Sequence, residues 1–396
     1  MKTKNIIADI QYQVLRLLIV FVITMSFLAY SPRQSVRATN TILYATSGGL
    51  TSGTCSSWAS ACDLPYALSV AVFSDEIWVK QGIYKPTVIA DRTISFVLKD
   101  GVSLYGGFVG TETLRGQRAS SASLTILSGD IGISGDETDN TYHVVVASGV
   151  TNTTIFDGFT ITNGRANGIA PNSFGAGMYS IGGSPTLNNL IFDSNVVSPI
   201  DANPENGAGG GIYNLNGNPV ITNVTFNNNA VTQTITSYSG ECLGGGLYNE
   251  NGNITMDHVT FTGNKASTPF WGSCGGAGIY NKNGTLSLTN MVFSDNVGAH
   301  MGWPNATLGS AGGGIWTVNG SVTITHALFN KNIAHFGGGI MNSTSILTLN
   351  DVLFDTNTAY YYGGGIRTSG NTGHNVTITD LVFQWKFCWL GRRWIS

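Results

Sequence analysis

Apolar and polar residues alternate along most of the chain, and the alternation is interrupted at fixed places. Leu286 and Leu288 are two residues apart, Met291 follows after a step of three, and Phe293 follows after another step of two. The block that ends at Phe329 has the same spacing. Steps of two place one face of a strand inward, whereas a helix would show a period of 3.6 residues. The single step of three predicts a bend that keeps the next strand's apolar face inward.

Two short motifs recur together with this strand pattern. A glycine motif resembling Gly-Gly-Gly-Ile-Tyr-Asn begins at residues 175, 209, 244, 276, 312, 337 and 363, and Phe-x-x-Asn begins at residues 192, 226, 261, 293, 329 and 354. The last glycine of the motif and the next Phe are 15 residues apart in all six pairs, whereas the return to the next glycine motif varies in length. A fixed block joined by a variable loop predicts one structural turn per repeat.

These spacings predict an all-β fold, a single-stranded parallel β-helix whose turns stack about 4.8 Å apart. Equivalent residues then form columns, with Phe and Ile in the interior. The Asn that ends each Phe-x-x-Asn motif is expected at a corner, where it tolerates the left-handed conformation and can bond the Asn above and below. The residues of this predicted ladder are Asn195, Asn229, Asn264, Asn296, Asn332 and Asn357.

The cysteines test this register. Cys242 and Cys274 each lie four residues before the last glycine of consecutive motifs. Stacking would bring their Cα atoms into the disulfide range, so we predict that they pair. Cys55 and Cys62 are expected to pair locally, which leaves Cys388 over. The alternative is that these cysteines are free thiols.

The chain divides into four segments. Basic residues precede the apolar run 17–30, which is too short for an ordinary membrane span, so residues 1–38 are predicted to be a signal peptide, with an uncleaved anchor as the alternative. Residues 39–163 are expected to form an N-terminal cap, with a short helix starting near Pro65, and the first irregular turns. Residues 164–383 are the regular repeats, and 384–396 are an atypical or truncated C-terminus.

Composition narrows the range of partners. Only 10% of the residues are charged, the net charge is −3 and Gly accounts for 52 of 396 residues. Without a basic surface, nucleic acid is not an expected partner. No second hydrophobic span follows the N-terminal signal, so no further transmembrane segment is expected. Export agrees with the predicted disulfides, because such bonds persist outside the cytoplasm.

An aromatic residue follows the last glycine of each motif by two positions in five consecutive turns. Alternation predicts that these side chains face outward and stack as a stripe, which could bind the faces of sugar rings. The alternative is that the stacked rings only stabilise the sheet. The candidate binding residues are Tyr179, Tyr213, Tyr248, Tyr280 and Trp316.

One acidic cluster occurs in the stretch SGDIGISGDETDN, where Asp130, Asp136, Glu137 and Asp139 could hold Ca²⁺. A solvated loop is the alternative, because the spacing matches no known calcium loop. No other cofactor is expected. The carboxylates of the repeats are sparse, and several lie beside the Phe at turns, so no catalytic residue is assigned and enzymatic activity is not favoured.

The alternation of the glycine motif with Phe-x-x-Asn resembles the repeats of chlamydial polymorphic outer-membrane proteins. The stretches DEIWVKQGIYKPT and FDGFTITNG resemble bacterial surface proteins with a pectin-lyase-like right-handed β-helix. The resemblance implies a right-handed helix in a secreted or surface-displayed protein, often an adhesin.

We therefore expect an exported, monomeric binding module at the cell surface or outside the cell, at the outer membrane if the cell has one. Its function would be adhesin-like or carbohydrate-binding, and its partner a glycan or the surface of a host or neighbouring cell. The alternatives are a polysaccharide lyase or glycoside hydrolase on the same fold, and a purely structural envelope protein.

Overall fold

Short strands, one set per turn of chain, stack into parallel sheets. The computed structural model describes residues 40–119, 121, 124–199, 206–233, 240–268, 273–298, 310–370 and 376–384. Every strand pairing within these residues is parallel, and the described chain from Thr41 onward belongs to one compact unit. The predicted all-β parallel β-helix is confirmed.

Three sheets form the walls of the helix, and a short fourth sheet lies outside them. The fifteen-stranded sheet contains Ile42–Leu50, Glu76–Lys80, Gly82–Tyr84, Ser103–Phe108, Thr125–Ser128, Ile155–Thr162, Thr186–Asp193, Val220–Thr222, Thr225–Asn227, Asn253–Asp257, Thr260–Thr262, Thr285–Ser294, Ser321–Asn330, Ile346–Asp355 and Val376–Gln384. The nine-stranded sheet contains Phe96–Val97, Val145–Val146, Met178–Ile181, Ile212–Leu215, Leu247–Glu250, Ile279–Lys282, Ile315–Val318, Ile340–Ser343 and Ile366–Ser369.

The seven-stranded sheet contains Arg165–Ala166, Val196–Val197, Ala230–Thr232, Lys265–Ser267, Val297–Gly298, Ile333–Phe336 and Thr358–Tyr362. The short fourth sheet, called the covering strip below, contains Gly207–Ala208, Cys242–Leu243 and Cys274–Gly275. The described helices are the α-helix Leu64–Val70 and the 3₁₀ turns Trp58–Ser60 and Arg115–Gln117.

The predicted bend inside the long strands is present. Each step of three encloses two residues, and the second of them has a left-handed φ, between +49° and +56°. This residue turns the chain while the apolar side chains on both sides of the bend still face inward. These residues are Asn189, Asn223, His258, Asn290, His326, Asp351 and Asp380. The Phe side chains after the bend stack inside the helix with ring centroids 4.5–5.4 Å apart, from Phe192 to Phe383. From Phe192 to Phe354 this inner Phe column forms part of one continuous apolar core, and Phe383 at its end is 45% exposed.

The glycine motif is needed at the corner before the nine-stranded sheet. Gly244 has a φ of +68°, a conformation that L-residues with side chains rarely adopt. A Cβ atom at Gly246 would lie 2.7 Å from the carbonyl oxygen of Gly278 on the next turn. The motif therefore provides both a left-handed turn and close passage of successive backbones.

The six Asn residues of the predicted ladder are hydrogen-bonded in one column. The Asn195 side-chain amide donates to the Asn229 side-chain oxygen at 3.0 Å, and the later steps measure 2.8–3.1 Å. Asn195 to Asn332 are fully buried. We expected the Asn itself to adopt the left-handed conformation. Instead the residue before it, such as Ser194 or Asp295, has the left-handed φ. The preceding residue makes the turn, because the Asn side chain must point inward to reach its neighbours.

The predicted disulfides are confirmed. The Cα atoms of Cys242 and Cys274 are 4.5 Å apart in paired strands of the covering strip, and those of Cys55 and Cys62 are 5.2 Å apart. The short helix expected near Pro65 is present. None of the described helices is long and apolar enough to cross a membrane. The predicted signal peptide, Cys388 and nearly all of 384–396 lie outside the described residues.

Candidate functional site

The structure brings the five aromatic candidates together on the nine-stranded sheet. They occupy equivalent positions in consecutive paired strands, with ring centroids 5.6, 5.0 and 5.3 Å apart for the four tyrosines. Trp316 meets Tyr280 edge to face at 5.2 Å. We call this set, Tyr179, Tyr213, Tyr248, Tyr280 and Trp316, the outer aromatic column.

The expectation that this column is exposed is wrong for its central members. Tyr213, Tyr248 and Tyr280 are only 8%, 6% and 7% exposed. Ala208 and Leu243 of the covering strip pack against them and form an apolar cluster outside the main core. The side chains do point away from the main core, but the covering strip, which immediately precedes the glycine motifs at residues 209, 244 and 276, lies over them. Only Tyr179 and Trp316, at the two ends of the column, are partly exposed.

Two charged side chains, Glu250 and Lys282, lie beside the covered tyrosines. The Tyr248 hydroxyl donates to Glu250 Oε2 at 2.6 Å, and Lys282 Nζ lies 2.9 Å from Glu250 Oε1. Glu250 and Lys282 are opposite one another in paired strands, and their side chains are 20% and 42% exposed. We call Glu250 and Lys282 the rim of the outer aromatic column. The rim thus exposes to solvent a carboxylate held by Tyr248 and an ammonium group.

Sequence reasoning missed Lys282 and treated Glu250 only as one of the sparse carboxylates. A signal was available two residues after each aromatic position. The register aligns Ile181, Leu215, Glu250, Lys282, Val318 and Ser343 there, so the oppositely charged pair interrupts a mainly apolar series. Because such neighbours in parallel strands lie next to one another, an ion pair could have been predicted.

Two carboxyl groups at this rim have opposite protonation tendencies. Burial alone would raise the pKa of Glu250, but hydrogen bonds from Tyr248 and Lys282 outweigh it and hold that pKa below its usual value. Glu241, just before the covering strip, has its pKa raised by burial, an effect that Lys282 only partly offsets. Burial also raises the pKa of Tyr213 to about 12, so the tyrosines stay neutral hydrogen-bond donors. The site can accept hydroxyl donors at Glu250 and donate from Lys282.

The acidic cluster of the N-terminal segment does not gather into a group of carboxylates. In the described part of the chain, no three Asp, Glu, His or Cys side chains converge as metal ligands would. Each of the four acidic side chains contacts a different group, namely Gly135 N for Asp130, Thr138 N for Asp136, Arg165 for Glu137 and Ile133 N for Asp139.

Carboxylates on the long strands are also engaged one by one. Asp193 accepts a hydrogen bond from the Asn227 amide at 2.6 Å, and Asp257 accepts one from the Asn290 amide at 2.8 Å. Each of these bonds joins neighbouring turns. Such carboxylates support the stacking of neighbouring turns.

One segment of the chain matches a known repeat family. Residues 258–282, which run from the bend residue His258 to Lys282, match the model of the Chlamydia polymorphic membrane protein repeat. The chain is a parallel β-helix with polymorphic membrane protein-like repeats. The resemblance inferred from the glycine and Phe-x-x-Asn motifs is confirmed. No curated protein sequence matches the chain.

Two solved structures are similar to the chain at low sequence identity. The pectate lyase Pel9A has a TM-score of 0.44 and 15% identity, over 88% of this chain and 80% of its own. A GH136 lacto-N-biosidase from Eubacterium ramulus has a TM-score of 0.28 and 10% identity, over 87% of this chain and 68% of its own.

Proposed function

We propose that this β-helix is an extracellular or cell-surface binding module that recognises carbohydrate at the rim of the outer aromatic column. The observation that carries the proposal is the arrangement of Tyr248, Glu250 and Lys282. A fixed carboxylate and an ammonium are well suited to sugar hydroxyls, since hydrogen bonds that involve a charged group are stronger than neutral ones.

Trp316 adds the apolar contact that sugar rings require. Its ring is partly exposed, and its Nε1 donates to Ser343 Oγ at 3.1 Å, which fixes the orientation of the indole. A flat ring beside convergent polar groups is the usual composition of a small-molecule site. The matching repeat, which is named for a membrane protein of Chlamydia, and the two disulfides support a location at the cell surface or outside the cell. An adhesin-like role would follow if the glycan belongs to another cell.

A glycan array probed with the purified protein tests this function. We expect glycan binding that falls at least tenfold in the Glu250→Gln/Lys282→Met double variant, with little change in Tm. The matched control is Asp351→Asn. Asp351 and His326 form an exposed contact on the fifteen-stranded sheet, away from the proposed site, so this variant should leave glycan binding intact. Absence of any glycan ligand, or equal loss in the control, would refute the proposal and favour a purely structural role.

A glycoside hydrolase is the second candidate, because Glu241 and Glu250 are near enough to interact electrostatically with each other and with Lys282, and burial raises the pKa of the first whereas hydrogen bonds lower the pKa of the second. Such divergence is typical of acid and base pairs in glycosidases. Incubation with neutral and acidic polysaccharides, followed by an assay for new reducing ends, separates hydrolysis from binding alone. A rise in reducing ends that Glu241→Gln abolishes would replace the binding proposal by an enzymatic one.

A further inference from the structure

The loop between Gly129 and Thr141 is closed and held by two of its own carboxylates. The amides of Ile131 and Thr141 both donate to the Gly129 carbonyl oxygen at 2.9 Å, so the two ends of the loop meet. Asp139 Oδ2 accepts a hydrogen bond from Ile133 N at 2.7 Å. Asp130 Oδ1 accepts one from Gly135 N at 3.1 Å. The tip is therefore tied to acidic side chains at both ends of the loop.

Side-chain oxygen atoms of two consecutive residues in this loop have no hydrogen-bond partner among the described residues. Asp139 Oδ1 and Asn140 Oδ1 are both shielded from solvent, and Asn140 as a whole is only 6% exposed. A buried polar oxygen without a partner costs about 1–3 kcal/mol, and more if it is charged. Native proteins rarely leave such atoms unpaired, so a bound water or ion is the ordinary explanation.

The surrounding cations do not satisfy these oxygens. Arg92 Nε donates to the Asn140 carbonyl oxygen and Arg92 Nη2 donates to Asn167 Oδ1, both at 2.6 Å. Arg165 pairs with Glu137 at 2.8 Å, on the exposed side of the loop. Lys85 Nζ lies 3.8 Å from Asp130 Oδ1. None of these three cations therefore donates a hydrogen bond to Asp139 Oδ1 or Asn140 Oδ1.

We propose that Asp139 Oδ1 and Asn140 Oδ1 bind a calcium ion whose remaining ligands are backbone carbonyl oxygens and water. Both atoms are oxygen donors of the kinds that Ca²⁺ prefers, a carboxylate and an amide carbonyl. Zinc does not fit, because zinc sites normally contain His or Cys ligands. Magnesium fits less well, since it requires near-ideal octahedral geometry. With few protein ligands, we expect the affinity of an extracellular module, a Kd of about 10⁻⁴–10⁻³ M.

Thermal unfolding of the full chain tests the site. After treatment with EDTA, 10 mM CaCl₂ should raise the Tm by at least about 2 °C, and 10 mM MgCl₂ should raise it less. Asp139→Asn should abolish the calcium response. The matched control is Asp136→Asn, since Asp136 caps Thr138 at the exposed tip, and this variant should keep the response.

Calorimetric titration of the wild-type protein with CaCl₂ keeps the test valid if a variant does not fold. One binding event in the stated range is expected. No heat of binding and an unchanged Tm would overturn the proposal, and water would then be the partner of both oxygens. A response that persists in Asp139→Asn would also overturn it, because the ion would bind elsewhere.

Discussion

The molecule contains two aromatic columns of similar geometry that are buried for different reasons. In the inner Phe column, Phe192 to Phe329 are fully buried, because each turn of the helix encloses its own Phe. In the outer aromatic column, the rings stack at similar distances but lie outside the walls, and the covering strip with neighbouring side chains such as Phe174 and Leu215 shields them. Burial inside the helix follows from closure of the turn, whereas burial outside depends on what the variable loops do.

The two columns also differ in where they end. The inner column keeps its Phe residues and their stacking to Phe354 and Phe383, although the last ring, Phe383, is 45% exposed. In the outer column the aromatic series stops at Trp316, and the next two strands place Met341 and Arg367 in register with it. Among the described residues, the covering strip contains strands from three turns. Aromatic identity in the outer column is therefore kept over the covered turns and their immediate neighbours.

The largest expected effect is in the inner column. Phe261→Ala should lower the free energy of unfolding by about 3–5 kcal/mol, because the ring is fully buried between Phe226 and Phe293. Tyr280→Ala is the matched substitution in the outer column and should cost less, since one side of that ring meets only the strip. Urea unfolding of both variants measures the difference. Equal losses would mean that the strip packs as tightly as the core.

A smaller effect is expected from releasing the strip. The Cys242→Ser/Cys274→Ser double variant should lose about 2–4 kcal/mol, the usual contribution of a disulfide. Hydrogen exchange should rise for residues 243–250, because the link between two strands of the strip is gone. The matched control, Cys55→Ser/Cys62→Ser, alters the N-terminal segment and should leave exchange at 243–250 unchanged. Similar exchange in both variants would show that packing on the tyrosines, without the disulfide, holds the strip.

The difference between the columns explains which features could be predicted from sequence. The fixed spacing of 15 residues predicted the inner column, the step of three predicted the bend, and the shared offset of Cys242 and Cys274 from the glycine motif predicted their pairing, because each depends only on register. The exposure of Tyr248 could not be predicted, since alternation shows which way a side chain points but not what covers it. The insertions differ in length and carry no periodic pattern.

A second unpredicted feature lies beside the outer column. Asn214, Asn249 and Asn281 form another buried ladder, with side-chain hydrogen bonds of 2.8 and 2.7 Å, and Asn281 continues to Thr317 at 3.2 Å. These are the Asn residues of the glycine motif itself. Strand alternation places each of these Asn residues on the same inward face as the Ile or Leu two positions earlier, but alternation alone does not show that the polar side chains pair with one another in a ladder.

The smallest predicted effect concerns the rim of the outer column, where the two glutamates should respond to pH in opposite senses. The folded-state pKa of Glu250 is lowered, so its contribution to stability is present above the unfolded pKa, about 4.3, and is lost as the pH falls through the folded value. Glu250→Gln should therefore cost about 1 kcal/mol or less at pH 7 and progressively less on acidification.

The folded-state pKa of Glu241 is raised, so the sign is reversed. Its favourable contribution is present below the unfolded pKa and is lost as the pH rises through the folded value. Glu241→Gln should thus be more stable than the wild type at pH 7 and lose this advantage near pH 4. Urea unfolding at several pH values between 4 and 7 measures both slopes. Parallel slopes for the two variants would contradict the opposed environments, and with them the idea that the covered column ends in a polarised rim.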